Sequence, residues 1–183
     1  GFSADKICES IRRMDAITPY CDFVFTGGEP FADLNVLQQM LDEIPKTHKV
    51  YINTTLPVSK FQTEDDIVRF TEKNKDKITC INVSRHMQHY VVESNDGLLK
   101  RLAVPFRINC VLYKDYPKQD MIPYLERFRL IPGASIQFRF DYTETTPENL
   151  YETEHDKILG DLKKIADYRG LDGCRMRCGF HFD

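Results

Sequence analysis

Asp22-Phe23-Val24-Phe25-Thr26-Gly27-Gly28-Glu29-Pro30 is the stretch that decides the fold of this chain. Its aromatic and β-branched run predicts a strand, and the paired glycines predict a turn. A helix follows from about Asp33, with Leu34, Leu37, Leu41 and Ile44 on its buried stripe. Strand, glycine turn and helix together form the layout of a site-bearing loop.

The same alternation continues outward in both directions. Upstream, a helix is expected from about Ser3, as N-cap, to about Ile17, with Ile7, Ile11 and Met14 on one face and Pro19 as its stop. Downstream, strands are expected at Lys49–Asn53, Ile78–Ser84, Phe106–Tyr113 and Ala134–Phe140. Between them lie a helix opened by Thr63 with Asp66 three residues on, one around Gly97–Leu102, and one from about Pro117 to Phe128; a last helix runs from about Pro147 to Tyr168. Strands and helices in strict alternation predict an α/β protein with parallel strands, either a barrel or a doubly wound sheet.

Composition narrows the class. The chain has 183 residues, 42% hydrophobic and 29% charged, with a formal net charge of -3. Such a chain buries a sizeable core without staples, and one domain over residues 1–183 is the expectation. The two signs of charge are interspersed, so the basic footprint of a dedicated nucleic-acid binder is missing. No apolar run approaches the roughly 20 residues that span a bilayer, so no membrane partner is expected. Four of the six cysteines, at 8, 21, 80 and 110, stand singly in apolar surroundings, and no secretory leader is visible, which predicts a reduced, cytoplasmic protein.

In parallel α/β folds the chemistry collects where strands run into the following loops. Here those ends read Thr26-Gly27-Gly28-Glu29-Pro30, Asn53-Thr54-Thr55, Ser84-Arg85-His86, Arg107 with Asn109, and Arg139 with Asp141. Two glycines let a ligand approach the backbone closely, and Glu29 beside them offers a carboxylate to an ammonium group. The alternatives are a tight turn with Glu29 simply placed in the first turn of the next helix, or a phosphate cradle; a carboxylate beside a phosphate opposes the latter. Arg107 and Arg139 suit a carboxylate held bidentately, or an ordinary rim ion pair. His86 and His89, three apart, face the presumed cavity or the surface.

Phe25-Thr26-Gly27-Gly28-Glu29-Pro30 resembles the glycine-glycine-glutamate-proline motif of radical S-adenosylmethionine enzymes, and Ile52-Asn53-Thr54 and Val83-Ser84 resemble that family's third and fourth strand ends. The resemblance covers about residues 3–142, leaving 143–183 as a C-terminal helix and strand. It implies a partial (β/α)6 TIM-like barrel whose first strand and cluster loop lie upstream of residue 1. It also implies that Gly27, Gly28 and Glu29 hold the amino group of S-adenosylmethionine, with Thr26 and Pro30 of the same motif also at the cofactor. Asn53, Thr54 and Ser84 would then meet its ribose or carboxylate, with Arg107 and Arg139 as further contacts. The implied activity is generation of a 5'-deoxyadenosyl radical that abstracts hydrogen from a small-molecule or peptide substrate, with an electron donor such as a flavodoxin-like protein.

Two departures accompany the resemblance. The family's four-iron four-sulfur cluster needs Cys-x3-Cys-x2-Cys after the first strand, and this chain, beginning at Gly1, has no such loop, which predicts a fragment of a longer protein. A cluster-less, non-catalytic relative that binds a nucleotide-like ligand or a partner protein is the alternative. Where the family often has Asn-Gly after its threonine, this chain has Thr55-Leu56. Near the end, Cys174, Cys178 and His181 copy the cluster spacing with His in third place, but three ligands fall short of a closed zinc site. A strand through Cys174–Phe182 explains the same residues by alternation.

Overall fold

Short apolar runs between glycine, proline and polar punctuation become strands, and the stretches with a helical period become helices. The computed structural model describes residues 3–85, 96–112, 131–140, 168–170 and 179–182. Contacts group the chain into two compact units, residues 1–83 with 97–105 and residues 84–96 with 106–183.

In the first unit, α1 (Ala4–Ile17) leads into β1 (Asp22–Phe25). A 3-10 turn (Pro30–Ala32) and α2 (Leu34–Glu43) follow, then β2 (Lys49–Thr54), α3 (Glu64–Lys73) and β3 (Cys80–Ser84). α4 (Asp96–Leu99) comes after, shorter than the expected helix at 97–102. β1 pairs in parallel with β2 from Asp22↔Lys49 to Phe25↔Ile52, and β2 in parallel with β3 from Tyr51↔Cys80 to Thr54↔Val83. The fold class read from the sequence, α/β with parallel strands, is what these pairings show.

The core of this unit lies on one face of the strands. Ile52, Ile81 and Val83 are fully buried together with Phe31, Leu37, Leu41 and Ile67 from the intervening segments, and the Phe31 and Phe70 rings meet edge to face at 5.6 Å. Burying such a side chain contributes about 1.5–3 kcal/mol, which is why the apolar stripes fix the helices on this face. Asp33 caps α2 by accepting from the N–H groups of Asn35 and Val36, and Thr63 with Asp66 forms a complete capping box at α3. Gln38 and Asn74 exchange amide hydrogen bonds of 3.1 and 2.8 Å, fastening the end of α3 to α2.

α1 departs from the expected stripe. Cys8 and Ile11 are its buried residues, while Met14 is 43% exposed. Asp15 takes the inward place that Met14 was expected to hold, because it meets a buried histidine described below. Ser3 stands at the N-cap, with its carbonyl accepting from Ile7 N–H at 3.3 Å, but its side chain makes no cap.

The second unit contains β4 (Phe106–Leu112) and β5 (Ala134–Phe140), paired in parallel from Phe106↔Ala134 to Leu112↔Phe140. Two further strands, β6 (Tyr168–Gly170) and β7 (Gly179–Phe182), are antiparallel: β7 to β5, and β6 to β7. This corrects the expectation of parallel strands throughout and of a helix reaching Tyr168. Residues 171–178 are too few for the crossover of about a dozen that a parallel pair needs. The expected helices at 117–128 and up to residue 167, and His86 and His89, lie outside the described residues. Among the described residues no helix is long and apolar enough to cross a membrane.

Candidate functional site

The polar chemistry of the first unit gathers where β1 and β2 end. Gly27 and Gly28 follow β1 with φ of 84° and 63°, the left-handed region that favours glycine, and both are exposed. A Cβ added at either would meet nothing within 4 Å, so backbone conformation rather than crowding asks for glycine here. Their peptide groups are therefore open to a ligand.

Glu29 is half-buried behind them, and its carboxylate is saturated. Oε1 accepts from the Phe31 N–H at 3.0 Å and from the Thr54 hydroxyl at 2.5 Å; Oε2 accepts from the Thr55 N–H and the Thr55 hydroxyl, each at 2.8 Å. A carboxylate has about four lone-pair positions, and all four are taken by this chain. Burial pushes the Glu29 carboxyl up, but the hydrogen bonds outweigh it, that from Thr54 foremost, so it is held below its ordinary value. It remains an anion, offering a cation its charge rather than a free acceptor.

The same hydroxyl that donates to Glu29 also accepts: Thr54 Oγ1 takes the Leu56 N–H at 2.9 Å. Leu56 is buried yet has φ of 56°, the only non-glycine residue with positive φ among those described. The chain thus turns sharply after β2 so that Thr54 and Thr55 can wrap the Glu29 carboxylate. Pro30 opens the 3-10 turn, where its missing N–H is no loss.

Thr54 and Asn53 belong to opposite faces of β2, the first buried and the second half-buried. Successive strand residues point to opposite faces, and Asn53 instead accepts from Asn82 Nδ2 at 2.8 Å through its side-chain oxygen. Asn82 Oδ1 is buried without a hydrogen-bond partner. Such an atom costs about 1–3 kcal/mol unless something satisfies it. Tyr51, Asn53, Cys80 and Asn82 form the half-buried face of β2 and β3, opposite the helix-covered one.

The second unit repeats the pattern. On β4, Phe106, Ile108 and Cys110 are buried, while Arg107 and Asn109 alternate with them, and Arg107 Nε and Asn109 Oδ1 are buried without partners. Ser84 ends β3 half-buried, its carbonyl accepting from the Arg85 guanidinium at 2.8 Å. Arg85 is itself buried, and its N–H donates to the Asn109 carbonyl at 2.9 Å. Arg139 is paired through its backbone with Val111 and Gly179 on the neighbouring strands.

Of the residues named from the sequence, Glu29 and Thr54 are in direct contact, and Gly27 and Gly28 are adjacent to them. Thr26 is exposed at the end of β1. Thr55 was missed as a partner of Glu29, although its place beside Thr54 at a strand end was the available signal. Cys174 and Cys178 lie outside the described residues; His181 belongs to β7, paired with Gln137. Among the described residues no three His, Cys, Asp or Glu side chains form a group that could hold a metal ion. Compared with known proteins, the chain matches no family model, and no curated protein matches it.

Proposed function

We propose that this chain is the S-adenosylmethionine-binding core of a radical enzyme, built as part of a (β/α) barrel, with the loop Thr26–Pro30 receiving the amino group of the ligand. The observation that carries it is the loop itself: two exposed left-handed glycines followed by a carboxylate locked as an anion. Leu56 adds support, because it stands where the resembled family often has glycine and holds the backbone that glycine favours.

The residues divide the work. Gly27 and Gly28 present peptide groups, and Glu29 supplies negative charge while tying the loop to the end of β2. Asn82 carries a buried polar atom, Oδ1, that a donor on the ligand would satisfy. A four-iron four-sulfur cluster, when bound, supplies the electron that cleaves the sulfonium bond. On this proposal its ligands come from outside the described residues, and its electrons from a donor such as a flavodoxin-like protein.

The experiment is anaerobic reconstitution of the longest product of the gene, with iron and sulfide measured and 5'-deoxyadenosine sought after reduction in the presence of S-adenosylmethionine. About four irons per chain and release of 5'-deoxyadenosine are expected. A cluster-loaded protein that releases none contradicts the proposal. An iron-free protein that still binds the ligand moves the chain to the cluster-less alternative.

A further inference from the structure

The second unit carries unsatisfied polar atoms of its own, and they stand on one face of β4. Phe106, Ile108 and Cys110 are buried, while Arg107 and Asn109 alternate with them and are half-buried. Successive strand residues point to opposite faces, so Arg107 and Asn109 share a face, about 6.6 Å apart along the strand. β5 extends that face in register. Half-buried Ser135 is paired with Arg107, and fully buried Gln137 with Asn109.

Arg107 Nε and Asn109 Oδ1 are closed off from solvent, and neither has a hydrogen-bond partner. None of the ion pairs among the described residues includes Arg107. Buried polar side chains along α3 are treated differently: Thr71 Oγ1 donates to the Val68 carbonyl and accepts from the Ala103 N–H, and Asn74 exchanges hydrogen bonds with Gln38. A donor and an acceptor left open on one strand face cost free energy until something meets them.

The two atoms ask for opposite things. A guanidinium is a permanent cation whose planar fork matches a carboxylate, and its Nε–H is one of the donors of that fork. Asn109 Oδ1 only accepts, so it calls for an N–H or O–H. One guanidinium balances one negative charge, which suits a carboxylate better than a phosphate dianion.

We infer that this face of β4 and β5 binds a carboxylic acid with a hydrogen-bond donor a few bonds from its carboxylate, such as an N-acylated amino acid. Arg107 holds the carboxylate, and Asn109 accepts from the donor. The inference goes beyond the S-adenosylmethionine reading, because it names a second ligand and a separate set of residues. Release of 5'-deoxyadenosine tests that other reading, so the two can fail independently.

Three probes separate the contributions. N-acetylglycine has both groups, N-acetylglycinamide lacks the carboxylate, and levulinate keeps the length and charge with CH2 in place of N–H. Each is titrated at neutral pH into the folded chain, and the Arg107 Nε–H and Asn109 side-chain amide signals are followed by NMR. N-acetylglycine is expected to shift both signals saturably and to bind at least about tenfold more tightly than N-acetylglycinamide and about three- to tenfold more tightly than levulinate. Arg107→Gln is expected to lose saturable binding, and Asn109→Ala to hold N-acetylglycine and levulinate alike, with melting temperatures recorded for both. The probe series is read on the unmodified chain, so the test does not depend on a variant folding. Excess S-adenosylmethionine is expected to leave the N-acetylglycine titration unchanged. Displacement by it would give Arg107 to that ligand and overturn the inference. So would unmoved signals at high millimolar N-acetylglycine, equal binding of N-acetylglycinamide, or tighter binding of inorganic phosphate.

Discussion

The two faces of the parallel strands in the first unit carry opposite chemistry on alternating residues. Ile52 and Ile81 are fully buried beneath helices, whereas their neighbours Asn53 and Asn82 pair through their amides on a half-buried face and leave Asn82 Oδ1 unsatisfied. A strand buried equally on both faces would be apolar throughout. The alternation shows that one face is committed to stability and the other retains polar atoms with spare capacity. β4 repeats it, with Ile108 buried between Arg107 and Asn109.

Substitutions on adjacent residues sharpen or break this contrast. Ile52→Ala is expected to cost about 2–5 kcal/mol in urea unfolding, as a cavity in a closed core. Asn53→Ala, one residue on, should cost at most about 1.5 kcal/mol, the scale of one hydrogen bond. Equal losses would mean that the polar face is as much a part of the packed core as the helix-covered one.

Glu29 lies between these extremes. Glu29→Gln replaces an acceptor of four hydrogen bonds by a group that must donate at one end, so a loss of about 1–3 kcal/mol is expected in the same assay. An unchanged midpoint would show that the loop is held by other contacts.

The pH dependence follows from the lowered Glu29 carboxyl. A carboxyl held lower in the folded than in the unfolded chain stabilises the fold above its ordinary value, about 4.3, and loses that contribution as pH falls through the folded value. The melting temperature should therefore fall on acidification below about pH 5, and less steeply in Glu29→Gln. Part of the slope will persist in the variant. Asp42 is held low foremost by Lys77, Asp65 by Arg101, and Asp66 by the Thr63 backbone. Identical slopes in the two proteins would remove Glu29 from the acid transition.

At Gly28 the expected effect comes from the backbone alone. Gly28→Ala meets no steric neighbour, so only the left-handed backbone penalises it, by about 1–2 kcal/mol. A larger loss would point to packing around the loop.

Much of this was legible in the sequence because local signals agreed. The strand and glycine turn at 22–28, the helix start near Asp33, and Thr63 with Asp66 all stand where the residues predicted them. β5 spans Ala134–Phe140, the bounds read from its apolar pattern. The failures have a common cause, which is that one residue's role was set by a distant partner. Asp15 turns inward for His48, 33 positions away, and displaces Met14 from the stripe that periodicity assigned to it. Glu29 is claimed by Thr54 and Thr55 from the next strand, so the carboxylate that looked free to a ligand is satisfied internally. The antiparallel turn-back of β7 onto β5 is likewise a long-range pairing with no local mark.

The most direct test of the account is a two-dimensional amide NMR titration of the folded chain with S-adenosylmethionine, following the Gly27 and Gly28 signals. The account predicts saturable shifts at these two amides and at Thr26, weakened in Gly28→Ala while the chain stays folded. Saturable binding that leaves all three amides unmoved, or no binding at millimolar ligand, would contradict it.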